Sequence, residues 1–253
     1  MGAPHGHLLH YHGHSVVHRL PAHLKVLALL AFVIVVVATP AREVAAFGGY
    51  ALLLAGAVVV SRVPPGYLLV RMVVEVPFVV FALLMPVIAT GPRVPVGPFS
   101  LSEAGLWGAW TLLAKGTLGV AASLLLATTT EPRGLVAGLQ RLRLPPALVQ
   151  ILAFMLRYLE VVAAEMSRMR TARASRGFSA RGPAAWRVLA RSAGALFIRS
   201  YERGERVHLA MLSRGYQGSL PQLGAAAVTG RDLAAAVALP AAAGLVLAAA
   251  VLP

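Results

Sequence analysis

The chain has 253 residues, 58% hydrophobic and only 13% charged, with a mean hydropathy of +0.75; soluble domains carry about 25% charged residues, so the composition points to a membrane protein. Lys and Arg number 23 against 9 acids, a net charge of +14, which topology beside anionic lipid explains without nucleic acid. No cysteine is present, which excludes disulfides, thiolate metal ligands and cysteine nucleophiles.

The first 23 residues are polar and hold seven of the eight histidines: His5, His7, His10, His12, His14, His18 and His23. Imidazoles at this density can bind Co²⁺, Ni²⁺ or Zn²⁺. No carboxylate or ligand spacing completes a site, so a weakly chelating tail is preferred over a metal-gathering one. The first apolar run closes at Thr39-Pro40 without a small-residue cleavage pattern, so a retained span is expected over 24–38, with Lys25 at its edge. It is short of the ~20 residues that a span needs. Further spans are expected over 44–60, 67–89 and 104–128, and a fifth over 232–252. The third holds Arg71, Glu75, Pro77 and Pro86, and the fourth holds Lys115. Arg71 and Glu75, at i,i+4, are expected to neutralise one another, and Lys115 either pairs with Glu75 or faces a partner. The prolines predict a kinked third span.

Residues 130–231 carry sixteen arginines against five acids, Glu131, Glu160, Glu165, Glu202 and Glu205, a net +11. Placing this stretch in the cytoplasm puts the N-terminus and the 61–66 loop there too. Loops 39–43 and 90–103 then lie outside with one arginine each, as the positive-inside rule requires. Three helical patterns follow. A short one over 131–142 stops before Pro145-Pro146. A long one over 146–176 shows an apolar stripe of Leu148, Ile151, Leu152, Met155, Leu159, Val162, Met166 and Met169. A third over 184–214 sets Trp186, Leu189, Ala193, Leu196, Phe197, Val207 and Met211 against a charged side of Arg187, Arg191, Arg199, Glu202, Arg203 and Arg206. Glu202 and Arg206 are spaced for an i,i+4 pair. Each long helix would extend about 45 Å, amphipathic and too charged to span. The expected fold is therefore all-α: a polytopic membrane protein with five transmembrane helices. Its regions are a His-rich cytoplasmic segment (1–23), four spans (24–129), a cytoplasmic helical region (130–231) and a C-terminal span (232–253).

Both long helices end alike, in Ala172-Arg-Ala-Ser175-Arg176-Gly177-Phe178 and Ala210-Met-Leu-Ser213-Arg214-Gly215-Tyr216. The shared frame is A-x-x-S-R-G-[FY]. One such end reads as a helix cap, with glycine in the left-handed conformation and arginine favoured by the helix dipole. Two copies on two long basic helices favour a matched pair of docking tips. Each would offer an arginine able to form a two-pronged bond to a carboxylate, and a partner present as two similar copies would suit them. No G-x-x-x-x-G-K-[ST], H-E-x-x-H, paired-Asp or G-x-S-x-G motif occurs, so the chain offers no candidate nucleotide site, nucleophile or catalytic metal centre.

This layout resembles the transmembrane coupling (T) component of energy-coupling-factor (ECF) transporters, whose two cytoplasmic coupling helices end in short motifs usually written Ala-Arg-Gly. Here both read Ser-Arg-Gly. His18 to Lys25 leading into the first span, Thr130-Glu-Pro to Leu142-Arg-Leu-Pro, Met155-Leu-Arg-Tyr158 and Phe197 to Val207 resemble the cobalt-type, CbiQ-like subfamily. The resemblance implies a non-catalytic subunit that binds no cofactor itself. It would dock Ser175, Arg176, Gly177, Ser213, Arg214 and Gly215 into two ATPase subunits, identical or different, that carry the ATP. It would join them to a substrate-binding membrane subunit importing Co²⁺. ATP binding and hydrolysis would move the tips, scissor the helices and turn the substrate site from outside to inside. Nickel or a vitamin is the alternative cargo. A membrane scaffold docking its basic helices on anionic lipid is the alternative of another class, and it predicts that Arg→Lys at both tips is harmless.

Overall fold

The computed structural model describes residues 11, 13, 15–96, 99–178, 182–218 and 228–251. Its elements in chain order are α1 (Val16–Arg19), α2 (Ala22–Ala38), α3 (Val44–Ser61), α4 (Pro65–Arg71), a 3₁₀ segment (Met72–Glu75), α5 (Val76–Ile88), β1 (Arg93–Val96) and β2 (Phe99–Ser102), followed by α6 (Glu103–Thr129), α7 (Pro132–Arg141), α8 (Pro146–Ser175), α9 (Pro183–Leu212) and α10 (Gly230–Val251). The chain divides into two compact units, Met1–Gly138 with Ala226–Pro253, and Leu139–Ala225.

The first unit is a bundle in which α6 packs on α2, α3 and α5, and α10 packs on α2 and α3. Phe32, Phe47, Tyr50, Leu54, Leu118, Leu125 and Ala243 meet in its core. Tyr50 is fully buried, with Phe32 and Phe47 edge-on at 6.2 Å between ring centroids. Its hydroxyl needs a partner there and finds Thr39 at 2.9 Å. Thr39 gives its own proton to the Val35 carbonyl at 2.9 Å, so Tyr50 is the donor. Thr229 and Asp232 cap the start of α10 reciprocally: Asp232 Oδ2 accepts from the Thr229 amide and hydroxyl, and the Asp232 amide donates to Thr229 Oγ1.

The third span is helical in three pieces, α4, the 3₁₀ segment and α5. Of the two prolines expected to kink the span, Pro77 follows the break, whereas α5 continues through Pro86. Pro77 has no N–H for the carbonyl of Val73, and its ring crowds that carbonyl, so the turn before it tightens. Opposite Pro86, α6 carries Gly105, where a Cβ would lie 2.7 Å from the Met85 carbonyl oxygen and the Pro86 Cα. Only glycine lets the two backbones approach this closely.

Two features depart from the sequence expectation. The 90–103 loop contains an antiparallel hairpin, with Arg93 opposite Ser102 and Val96 opposite Phe99. Four-residue strands are too short to stand out as periodicity, and Pro95 is tolerated because a two-stranded ribbon has a free edge on each strand. The second concerns which helices suit the bilayer. Five are long and apolar enough to cross a membrane: Val44–Ser61, Pro65–Ile88, Glu103–Thr129, Pro146–Ser175 and Gly230–Val251. The first span, α2, has 17 residues and is shorter, whereas α8 qualifies. The reason is uneven charge: through Ala163, α8 holds only Arg157 and Glu160, and its remaining charges follow. The outward faces are apolar and bare, as at Leu52 (76% exposed), Leu83 (69%) and Leu245 (72%), which is how a helix looks when lipid is its solvent. The protein is an all-α, multi-pass membrane protein.

Gly105→Ala should cost about 1–3 kcal/mol, because the clash is with backbone that cannot rotate away. A lowered unfolding temperature of the detergent-purified protein would register it, and an unchanged one would show that α5 and α6 can separate freely.

Candidate functional site

The two Ser-Arg-Gly ends are built from the same bonds. At the end of α8, Gly177 takes φ +73°, its amide donates to the Ala174 carbonyl at 3.0 Å, and the Phe178 amide donates to the Arg173 carbonyl at 3.1 Å. At the end of α9, Gly215 takes φ +82°, its amide donates to Leu212 at 3.0 Å, and the Tyr216 amide donates to Met211 at 3.0 Å. Each is a Schellman cap. The serines repeat too: Ser175 Oγ donates to the Ala172 carbonyl and Ser213 Oγ to the Ala210 carbonyl, both at 3.0 Å. The cap thereby uses the glycine's backbone angle and the serine's hydroxyl, and takes only backbone groups from the alanine and the aromatic.

Arginine is the letter that the cap does not use. Arg176 and Arg214 are exposed, and among the described residues their side chains make no hydrogen bond or ion pair. A Cβ at Gly177 or Gly215 would meet nothing within 4 Å. Each glycine is therefore needed for its backbone angle, and the space beside it stays open.

Within the second unit, α8 and α9 run in opposite directions. Glu165 of α8 meets Arg199 of α9, and Gln150 near the start of α8 accepts from the Tyr216 hydroxyl beyond the end of α9. Antiparallel helices point their C-termini apart, so the tips stand at opposite ends of the pair. Each tip lies beyond the Glu165–Arg199 contact on its own helix, Arg176 on one side and Arg214 on the other. Glu165 is forked, accepting from Arg168 on its own helix and from Arg199 across the pair, each at 2.5 Å. The Arg168 guanidinium first, then Arg199, hold its carboxyl below the usual carboxylate range. Between the helices lies a cleft of about 340 Å³, with Ile151, Phe154 and Tyr158 on one wall and Leu196, Ser200 and Gly204 on the other.

The face assignments made from periodicity need correction. The α8 stripe is present but bare at Leu148, Ile151, Met155 and Leu159. On α9, Leu196 shares the α8-facing side with Arg199 and Arg203, while Trp186 (76% exposed) and Phe197 (71%) point away. Among the described residues Glu202 and Arg206 form no ion pair, and the pairing falls on Glu165 instead. Its partner Arg199 is 34 residues away, a distance at which helical spacing carries no signal.

The intramembrane charges also resolve differently, each taking a neutral group. The Arg71 guanidinium lies 3.4 Å from the Tyr67 ring centroid, and its Nη1 donates to the Tyr67 carbonyl. Glu75 is buried and accepts from the Thr117 hydroxyl. Lys115 donates to the Val37 carbonyl at 2.7 Å. His5, His7, His10, His12 and His14 lie outside the described residues, among which no His/Cys/Asp/Glu group could hold a metal. Both ring nitrogens of His18 are engaged, Nδ1 with Ser15 Oγ and Nε2 with the Tyr11 carbonyl.

Gly177→Ala and Gly215→Ala should each cost about 1–2 kcal/mol by forcing a Cβ into the left-handed region. Faster amide exchange at Phe178 or Tyr216 would report the frayed cap; unchanged protection would contradict the cap geometry.

Residues 13–223 match the family described as CbiQ, cobalt transport protein. The energy-coupling factor transporter transmembrane protein EcfT of Bacillus subtilis is 29% identical over 220 residues, 81% of this chain and 82% of that protein. Its counterpart in Heliobacterium modesticaldum is 27% identical over 240 residues, 89% and 90%. The cobalt transport protein CbiQ of Rhodobacter capsulatus is 29% identical over 129 residues, 50% and 53%. With capped, arginine-bearing tips on a multi-pass helical chain and a family match over most of its length, the protein belongs to the CbiQ family, the cobalt-type transmembrane components of ECF transporters.

Proposed function

We propose that the chain is the non-catalytic coupling subunit of an ATP-driven importer, passing the motion of two ATPase subunits to a substrate-binding membrane subunit. The observation that carries the reading is the pair of matched tips. Two identical caps hold two unengaged arginines at opposite ends of one antiparallel helix pair. Docking on lipid needs only diffuse positive charge and gives no reason for two copies of one seven-residue frame. Two similar ATPases do. Arg176 and Arg214 would each enter a groove and bond a carboxylate in the two-pronged way that lysine cannot reproduce. Ser175 and Ser213 shape the cap, and Gly177 and Gly215 leave room for a partner backbone.

Cobalt(II) is the proposed cargo, because the family matched over residues 13–223 is one of cobalt transport. A vitamin cargo is the second reading, favoured by long matches to EcfT proteins, whose names carry no metal. ATP is held by the partners in either case.

Co-purification with the candidate ATPases, followed by ATP-driven ⁵⁷Co²⁺ uptake, tests the proposal. Arg176→Ala/Arg214→Ala should lose the ATPases, or keep them and lose uptake. Arg176→Lys/Arg214→Lys should lower uptake about tenfold or more. Ser175→Ala/Ser213→Ala should stay within about twofold of wild type, since an exposed hydroxyl bonded to its own helix contributes little. Wild-type uptake in the lysine variant would favour the lipid scaffold. A complex that assembles and hydrolyses ATP without moving cobalt would keep the coupling role and reassign the cargo.

A further inference from the structure

The tips can transmit motion only if the angle between α8 and α9 is set by something, and the described contacts leave few candidates. Apolar packing is interrupted by the 340 Å³ cleft. Two polar links remain among the described residues, Glu165 with Arg199 and Gln150 with Tyr216. They are not equivalent. The second joins the tip carrying Arg214 to the base of α8, and it has no counterpart at the other tip, where Phe178 replaces the tyrosine and carries no hydroxyl. The first lies two-thirds of the way along α8 and near the middle of α9.

The geometry points to Glu165 as the positioning residue that sets the crossing of α8 and α9, and so the separation of the two docking tips. This rests on the coupling function proposed above. Three observations favour Glu165 over its neighbours. It makes both ion pairs among the described residues, whereas Glu160, Glu202 and Glu205 make none. Its side chain is 16% exposed, while those of Arg168 and Arg199 are 65% and 59% exposed, so the carboxylate is the enclosed centre that two solvent-facing guanidiniums reach. Its two oxygens are divided, Oε2 to Arg168 and Oε1 to Arg199. Arg168 thus orients the carboxylate from one turn away, and Arg199 can swing without leaving the acid unpaired. A charge-assisted link of this kind resists separation of the helices more than rotation about the contact, which suits a pivot.

The natural chain has no cysteine, so spin labels can be placed at will. Thr171→Cys on α8 and Ala190→Cys on α9 are exposed and lie on the same side of the crossing, where their separation reports the angle. In the full chain, Glu165→Gln and Arg199→Glu should each broaden or shift the label distance. The swap Glu165→Arg/Arg199→Glu should restore it, because the arginine introduced on α8 would join Arg168 in forking one carboxylate from the other helix. In the assembled transporter, Glu165→Gln should keep the ATPases bound and lower cargo moved per ATP hydrolysed by about threefold, with the swap restoring the ratio. An unchanged distance in Glu165→Gln, or a changed distance with an unchanged ratio, would overturn the positioning role. A wild-type chain that binds no ATPase sinks the coupling function alone, while the label distances still report whether Glu165 sets the angle.

Discussion

A helix that ends must do something with its last carbonyls, and this protein is organised around how it meets that demand. The end of α6 is met by the buried Lys25, whose ammonium donates to the Thr129 carbonyl at 2.7 Å, to Thr130 Oγ1 at 3.2 Å and to the His18 carbonyl at 3.3 Å. A lysine has three donors, and all three are used, so a cation without an acid is tolerated beside a helix C-terminus. The ends of α8 and α9 are met by backbone amides and a neutral serine hydroxyl, through a left-handed glycine. The end of α7 uses the same pattern with Arg143 in the left-handed position at φ +57°. Because the caps of α8 and α9 occupy no charged side chain, their arginines stay unengaged among the described residues.

The same preference for neutral partners runs through the spans. Lys115 takes a carbonyl, Glu75 takes a hydroxyl and Arg71 takes a ring face and a carbonyl. Carbonyl and hydroxyl dipoles on packed helices are already in place, so using them requires no second buried charge. Lys115 ties α6 to α2 and Glu75 ties the broken third span to α6, so these residues read as struts of the bundle.

In the second unit the logic inverts. There the apolar stripe of α8 and the aromatic side of α9 are bare, and a forked carboxylate joins the helices across an incompletely filled cleft. A tightly packed pair would resist a change of angle at every contact. A pair joined at few points can turn about them, as the proposed coupling role would require.

The sequence by itself determined the class of the protein, the bounds of its apolar helices to within a few residues, an interrupted third span and the two matched helix ends. These are local matters, decided by hydrophobic run length, by a proline's missing N–H and by a glycine's access to positive φ. The 93–102 hairpin escaped because four residues are too few for a period to show, and the apolar start of α8 was masked by the charges of its second half. What only the tertiary structure decided is which groups meet across the chain: Lys25 with Thr129, Glu75 with Thr117, Tyr216 with Gln150, and Glu165 with Arg199. Those partners are 34 to 104 residues apart, and at such separations a side chain's partner depends on where packing puts the helices, which no spacing along one helix records.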